Sequence, residues 1–108
     1  MLKQLPKKYF VRKHGHCDCY CVPYNNQKLF VITSLDNDLG GIAWEHVSVS
    51  LKKRVPTYAE MNFIKNLCWD PEDEVIHFFP KASQHVNVHE NCLHLWRPVG
   101  VKLPWDKE

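Results

Sequence analysis

The chain has 108 residues, of which 44% are hydrophobic and 24% charged, and its formal net charge is +2. This balance argues against a disordered chain, no apolar run is long enough to span a membrane, and the charge is too small to favour nucleic-acid binding. We expect a single domain over residues 1–108, with an amino-terminal arm (1–27), a core of sheet and helix (28–98) and a tail (99–108).

The amino terminus and the cysteines indicate the cellular compartment of the protein. No apolar segment follows the first lysines, so we expect no cleaved secretory signal. Five cysteines is an odd number, and three of them are too closely spaced to pair comfortably with one another. These features predict reduced thiols and a cytoplasmic protein.

The amino-terminal arm contains the run HGHCDCYC at residues 14–21. Thiolate and imidazole are the ligands that zinc prefers, so this run is a candidate zinc site. However, structural zinc sites generally use CxxC knuckles from two separated segments, and cysteines that alternate along a strand can equally form a small apolar face. The candidate ligands are His14, His16, Cys17, Cys19 and Cys21.

The middle of the chain predicts a hairpin followed by a helix. Residues 28–34 are β-branched and aromatic, residues 36–41 supply turn residues, and a second alternating run covers 42–51. After Pro56, the spacing of Thr57 and Glu60 predicts a capping box that opens a helix ending near Cys68. Apolar residues at helical spacing form one stripe of this helix: Tyr58, Met61, Ile64, Leu67 and Cys68.

Two further runs, residues 74–79 and 92–97, have strand composition and are bounded by Pro80 and Pro98. The order is therefore strand, strand, helix, strand, strand. In a short chain this order predicts the α+β class, with a mainly antiparallel sheet of four or more strands and one helix packed on one face.

Strand alternation then predicts a candidate ligand-binding face. Val47, Val49 and Leu51 should point toward the helix, and Glu45 is out of pattern. The opposite face should bring together side chains that can stack on a flat polar ligand or a partner protein, or donate hydrogen bonds to it: Trp44, His46, Ser48, Cys92, His94 and Trp96. We expect Arg97 near the rim of this face. Alternatively, the tryptophans and histidines fill a second small core beneath the amino-terminal arm.

The segment before the last strand offers a further set of candidates. If the chain is extended there, His85, Asn87 and His89 share a face and could hold a metal ion or a phosphate. If it forms a loop, Asn87 instead bonds to its own backbone and shapes the turn. We favour the structural role for Asn87.

Three segments resemble a family of small phage and prophage proteins of unassigned function. They are HVSVS at 46–50, PTYAEM at 56–61 and HVNVHENCLHLW at 85–96, and the family pattern is HVSVS, PTW-x-EM and YVN-x-H-x-x-C-x-HLW. The resemblance covers residues 42–98 and omits the amino-terminal cysteines. Tyr58 replaces a tryptophan of the pattern, and His85 replaces a tyrosine.

The resemblance implies a phage origin and expression inside a bacterial host, but no activity. By association with such proteins, a binding or sequestering role, with counter-defence as one possibility, is the leading hypothesis. The face of stacking and hydrogen-bonding side chains suits a small anionic, nucleotide-like ligand or a host protein. No HD, HExxH, GxSxG or P-loop motif is present, so catalysis has little support. A metal-assisted phosphoesterase and a structural domain that forms homo-oligomers through the aromatic face remain the alternatives.

Overall fold

The computed structural model describes residues 2–37, 43–78 and 91–99. Within these ranges the protein is α+β, as predicted: six strands form one antiparallel sheet, and one helix packs on one face of it. The strands are β1 (Phe10–His14), β2 (Cys17–Tyr24), β3 (Gln27–Asn37), β4 (Ala43–Ser50), β5 (Ile76–Phe78) and β6 (Cys92–Val99). The helix is α1 (Tyr58–Cys68), and a short 3-10 turn (Lys7–Tyr9) precedes β1.

The strand order in the sheet is β1-β2-β3-β4-β6-β5. The first four strands follow the chain as a meander, and β6 then inserts between β4 and β5. The predicted hairpin of β3 and β4 is confirmed, with Val31 opposite Val49. The predicted strands at 74–79 and 92–97 correspond to β5 and β6.

The amino-terminal arm is part of the sheet, because β1 and β2 extend it beyond β3. Two tight turns make this possible. Gly15, with a φ of 63°, lies in the two-residue connection from β1 to β2, where a positive φ suits the twist of a hairpin. Asn25 and Asn26 connect β2 to β3 and both have positive φ, which asparagine tolerates better than most residues.

The start of α1 has the predicted capping box. The backbone N–H of Glu60 donates to the Thr57 hydroxyl over 3.2 Å, and the Thr57 N–H donates to the Glu60 carboxylate over 2.8 Å. Arg54 adds a bidentate pair to the same carboxylate, at 2.7 and 2.8 Å. The segment after β4 is therefore tied to the first turn of the helix.

The core lies between α1 and the sheet. β2 contributes Tyr20 and Val22, and the neighbouring strands and the helix contribute most of the remaining buried side chains: Leu29, Val31, Val47, Val49, Leu93, Leu95, Met61, Ile64 and Cys68. The predicted stripe of α1 is wrong at Tyr58, whose side chain is 68% exposed. Tyr58 is the first helical residue and lies beyond the edge of the core, whereas Trp69, just after the helix, is fully buried.

The residues before β1 pack on the helix side of the sheet. Leu5 is buried in the core, and the Lys3 N–H donates to the Cys68 carbonyl over 2.7 Å. In residues 2–9 the arm therefore lies against α1 and not over the face that carries the tryptophans and histidines.

Among the described residues, no helix is long and apolar enough to cross a membrane.

Candidate functional site

The face of the sheet opposite α1 carries the predicted cluster of histidines and tryptophans. In the antiparallel register of β4 and β6, His46 lies opposite Trp96 and Ser48 lies opposite His94. Directly opposed residues project to the same side of a sheet. Alternation therefore buries Val47, whose neighbour on β6 is Leu95, and brings the imidazoles and indoles together on the other side.

The rings of this cluster form a connected stack. The His46 ring lies 3.9 Å from the Trp96 ring, centroid to centroid, at an interplanar angle of 23°. Trp44 meets Trp96 edge-to-face at 6.2 Å, a favoured arrangement because the positive ring edge faces the negative ring surface. The side chains are half-buried, so the stack combines fixed packing with access from solvent.

The two imidazoles are joined by a hydrogen bond. His46 Nε2 and His94 Nδ1 lie 2.8 Å apart, and the rings stack at 5.0 Å with an angle of 21°. One of these nitrogens must donate and the other must accept, so the bonded pair can carry at most one positive charge. The pair thus holds one ring in a defined tautomer for any ligand that contacts it.

Ser48 and Cys92 continue the same face along β4 and β6. Burial raises the pKa of the Cys92 thiol, and a hydrogen bond with Ser48 offsets only part of that increase. A thiol with a raised pKa is mostly protonated at neutral pH and is a weak nucleophile. Cys92 therefore adds no activated thiol to the stacking and hydrogen bonding that this face offers.

Arg97 does not join this cluster. Alternation along β6 places Arg97 with Leu93 and Leu95 on the helix side, and its Nη1 donates to Glu45 over 3.1 Å. Its Nε lies 3.8 Å from Asp73. The expected position of Arg97 near the rim of the His–Trp face is therefore wrong, because an odd-numbered residue of β6 cannot share a face with His94 and Trp96.

Glu45, the residue out of pattern in the sequence, is a buried carboxylate on the helix side and is 5% exposed. Besides Arg97, it accepts hydrogen bonds from Trp69 Nε1 over 2.8 Å and from the Leu2 N–H over 2.9 Å. A buried carboxylate requires such partners, since desolvation without them is costly. Glu45 therefore has a structural role.

The amino-terminal cysteines lie on the same sheet face as the His–Trp cluster. Cys19 is opposite Ile32 and Cys21 is opposite Phe30, while Tyr20 between them faces the core. The half-buried thiols of β2 are free. The alternation of Phe30 and Ile32 along β3 is the sequence signal that could have linked these cysteines to the face.

The candidate zinc ligands are only partly brought together. His14 pairs with Cys17 across β1 and β2, and His16 is exposed in the connecting turn. In the described part of the chain, no group of three or more histidine, cysteine or acidic side chains is arranged to hold a metal ion. Zinc binding by this segment stays a prediction. The other candidates, His85, Asn87 and His89, lie outside the described residues.

Comparison with known proteins identifies a family. Residues 35–100, more than half of the chain, match the model of a domain of unknown function (DUF7694), and the chain belongs to this family. The matched region runs from the end of β3 to just past β6, so it contains the His–Trp cluster and leaves out β1 and β2. No curated protein and no solved structure matches the chain significantly.

Proposed function

We propose that this member of the DUF7694 family is a binding protein that holds a flat, polar ligand against the face formed by β4 and β6. The observation that carries the proposal is the His46–His94 hydrogen bond of 2.8 Å, with His46 stacked on Trp96. Stacked rings offer an extended π surface to a planar ligand, and imidazole nitrogens orient it by hydrogen bonding.

Preorganisation supports a binding role. The imidazoles are held by each other, by Trp96 and by the pleat of two paired central strands. Side chains already fixed in the unbound protein lose little conformational entropy when a ligand arrives. The face also carries Ile32, which is 40% exposed and adds apolar contact area beside Ser48.

The resemblance to small phage and prophage proteins extends the proposal to a biological setting. We propose expression in the cytoplasm of a bacterial host, where the protein sequesters a nucleotide-like ligand. Lowering the free concentration of such a ligand would interfere with host machinery or with a defence system that uses it. A role of this kind needs affinity and abundance but no catalytic group.

The test is a titration with nucleosides, which present a planar base without phosphate charge. Binding of adenosine and guanosine is followed by saturation-transfer NMR on the wild-type protein and on His94→Ala. We expect the variant to lose at least about tenfold in affinity while unfolding cooperatively, with a stability loss of about 0.5–1.5 kcal/mol for one hydrogen bond.

His16→Ala is the matched control, because it removes an exposed imidazole from the β1–β2 turn. It should bind like the wild type. Equal nucleoside binding by the wild type and His94→Ala, or no nucleoside binding by the wild type, would count against the proposal. Global unfolding of His94→Ala would instead identify the cluster as a second core. Trp96→Leu, which removes the aromatic ring but keeps an apolar side chain, would then test stacking by itself.

A further inference from the structure

A second candidate site lies away from the His–Trp cluster, where the beginning of β3 meets the segment after β4. It is a half-open cavity of about 670 Å³, a volume typical of sites for small organic ligands. Its lining comes from β2, β3 and the residues just beyond β4: Cys21, Gln27, Lys28, Phe30, Leu51, Lys52, Lys53 and Arg54.

The lining is strongly basic. Four of the eight lining residues are lysine or arginine, and none is acidic. Arg54 is neutralised by its bidentate pair with Glu60, but Lys28, Lys52 and Lys53 pair with no carboxylate of the residues that the structure describes. Three unneutralised ammonium groups around one concave surface create a positive potential that attracts anions.

The segment that carries Lys52 and Lys53 is anchored on both sides. The Asn91 side-chain amide donates to the Lys52 carbonyl over 3.0 Å, and the Leu51 side chain is buried. On the other side, Arg54 is held to Glu60 at the start of α1 by two hydrogen bonds. Anchored backbone reduces the entropy lost when the lysines close on an anion.

The cavity also has an apolar part. Lys28 and Phe30 alternate along β3 and so share a face, and Phe30 lies opposite Cys21 of β2. The half-buried Phe30 therefore shares a sheet face with Lys28, and both line the cavity. Adjacent positive and aromatic groups suit a ligand that has both phosphate groups and a planar organic part.

We propose that this cavity binds the phosphate groups of a small organic polyphosphate, with Lys28, Lys52 and Lys53 as the phosphate-binding residues. The inference goes beyond the proposed function and does not rest on it, because no lining residue belongs to the His–Trp cluster. A cavity of nucleotide size, in a protein with a net charge of only +2, favours a compact anion over a nucleic-acid strand.

The experiment uses inorganic tripolyphosphate and ATP as probes, measured by isothermal titration calorimetry at 50 and 200 mM salt. The double variant Lys52→Gln/Lys53→Gln should weaken both probes by about tenfold or more. Affinity of the wild type should fall as salt is added, since screening weakens charge attraction. Lys7→Gln/Lys8→Gln is the control, because it removes the same charge from two exposed residues outside this cavity.

Other arms separate this inference from the proposed function. His94→Ala should bind tripolyphosphate like the wild type even if it no longer binds nucleosides. Phe30→Leu should lower the affinity for ATP more than the affinity for tripolyphosphate. Absence of tripolyphosphate binding by the wild type at 50 mM salt would overturn the inference. The inference would also be overturned if the two double-lysine variants lost equal affinity for the probes. Binding of a single-stranded oligonucleotide, without binding of tripolyphosphate or ATP, would overturn it as well.

Discussion

The indole Nε1 of Trp69 donates a 2.8 Å hydrogen bond to the carboxylate of Glu45, and both side chains are buried between the helix and the sheet. The bond joins the end of α1 to the middle of the sheet. Arg97 donates to the same carboxylate from β6. Glu45 thus connects three parts of the chain that are distant in sequence.

The first prediction concerns the coupling of Glu45 and Arg97. Arg97→Met removes the counter-charge of a buried carboxylate and should destabilise the protein by roughly 1.5–3 kcal/mol, the range for hydrogen bonds to charged groups. A double-mutant cycle with Glu45→Gln, measured by urea denaturation, should give a coupling energy of about 0.5–3 kcal/mol. Additive effects would contradict the contact. Nucleoside binding should be unchanged in Arg97→Met, because Arg97 lies on the opposite face.

The second prediction concerns the amino-terminal cap of α1. Thr57→Ala removes the hydroxyl that accepts from the Glu60 N–H, so we expect a loss of about 0.5–2 kcal/mol in denaturant melts. Thr57→Ser keeps the acceptor and should retain most of the stability. If the two variants were equally stable, the hydroxyl would not be the source of the effect.

The third prediction concerns stability in acid. The Arg54 guanidinium, with smaller contributions from Thr57, lowers the pKa of Glu60 from 4.5 to about 2. A carboxyl group with a lowered pKa in the folded state stabilises the fold above its unfolded pKa, and this contribution is lost as pH falls through the folded value. The free energy of unfolding should therefore decrease between about pH 4.5 and pH 2.

Glu60→Gln checks this assignment, because glutamine cannot titrate. Its free energy of unfolding should be lower than that of the wild type at pH 7, and the difference should shrink as the pH falls toward 2. Urea melts at several pH values measure both quantities. A difference that stays constant from pH 7 to pH 2 would show that another group causes the acid sensitivity.

The fourth prediction distinguishes the thiols. Burial raises the pKa of Cys68 to about 12, whereas Cys17, Cys19 and Cys21 are half-buried on the open face. A disulfide reagent at pH 8 should modify the β2 cysteines in the native protein, and Cys68 only after unfolding. Cys19→Ala should lose one rapidly reacting thiol, and Cys68→Ala should lose none. If Cys68→Ala instead had one rapidly reacting thiol fewer than the wild type, the buried position of Cys68 would be contradicted.

Most of the framework could be predicted because its signals are local. The capping box depends on two residues three positions apart, and alternation along β4 and β6 was enough to bring His46, His94 and Trp96 to one face. The same alternation places Arg97 with Leu95 on the helix side, so the sequence itself contains the signal against a position of Arg97 near the rim.

Other features depend on partners far along the chain. Glu45 is a charged residue at a core-facing position of its strand. The hydrogen-bond donors to its carboxylate come from Trp69, Arg97 and Leu2, which are brought to it only by folding. A strand at β2 was only the alternative to a zinc site, because its sequence, CDCYCVPY, contains three potential metal ligands and a proline. The basic cavity also needs the fold, which brings Lys28 close to Lys52 and Lys53.

The interior position of β6 bears on how the chain folds. The hairpins from β1 to β4 join neighbours in sequence and close short loops, whereas β6 must find β4 across the intervening helix. β5 enters the sheet only through its pairing with β6. Before β6 pairs with it, β4 has an unpaired edge, which can pair with β6 of another molecule. Because the β4–β6 pair closes a much longer loop than the hairpins, we expect it to form late. The same pair covers the edge of β4 and so limits domain swapping and aggregation.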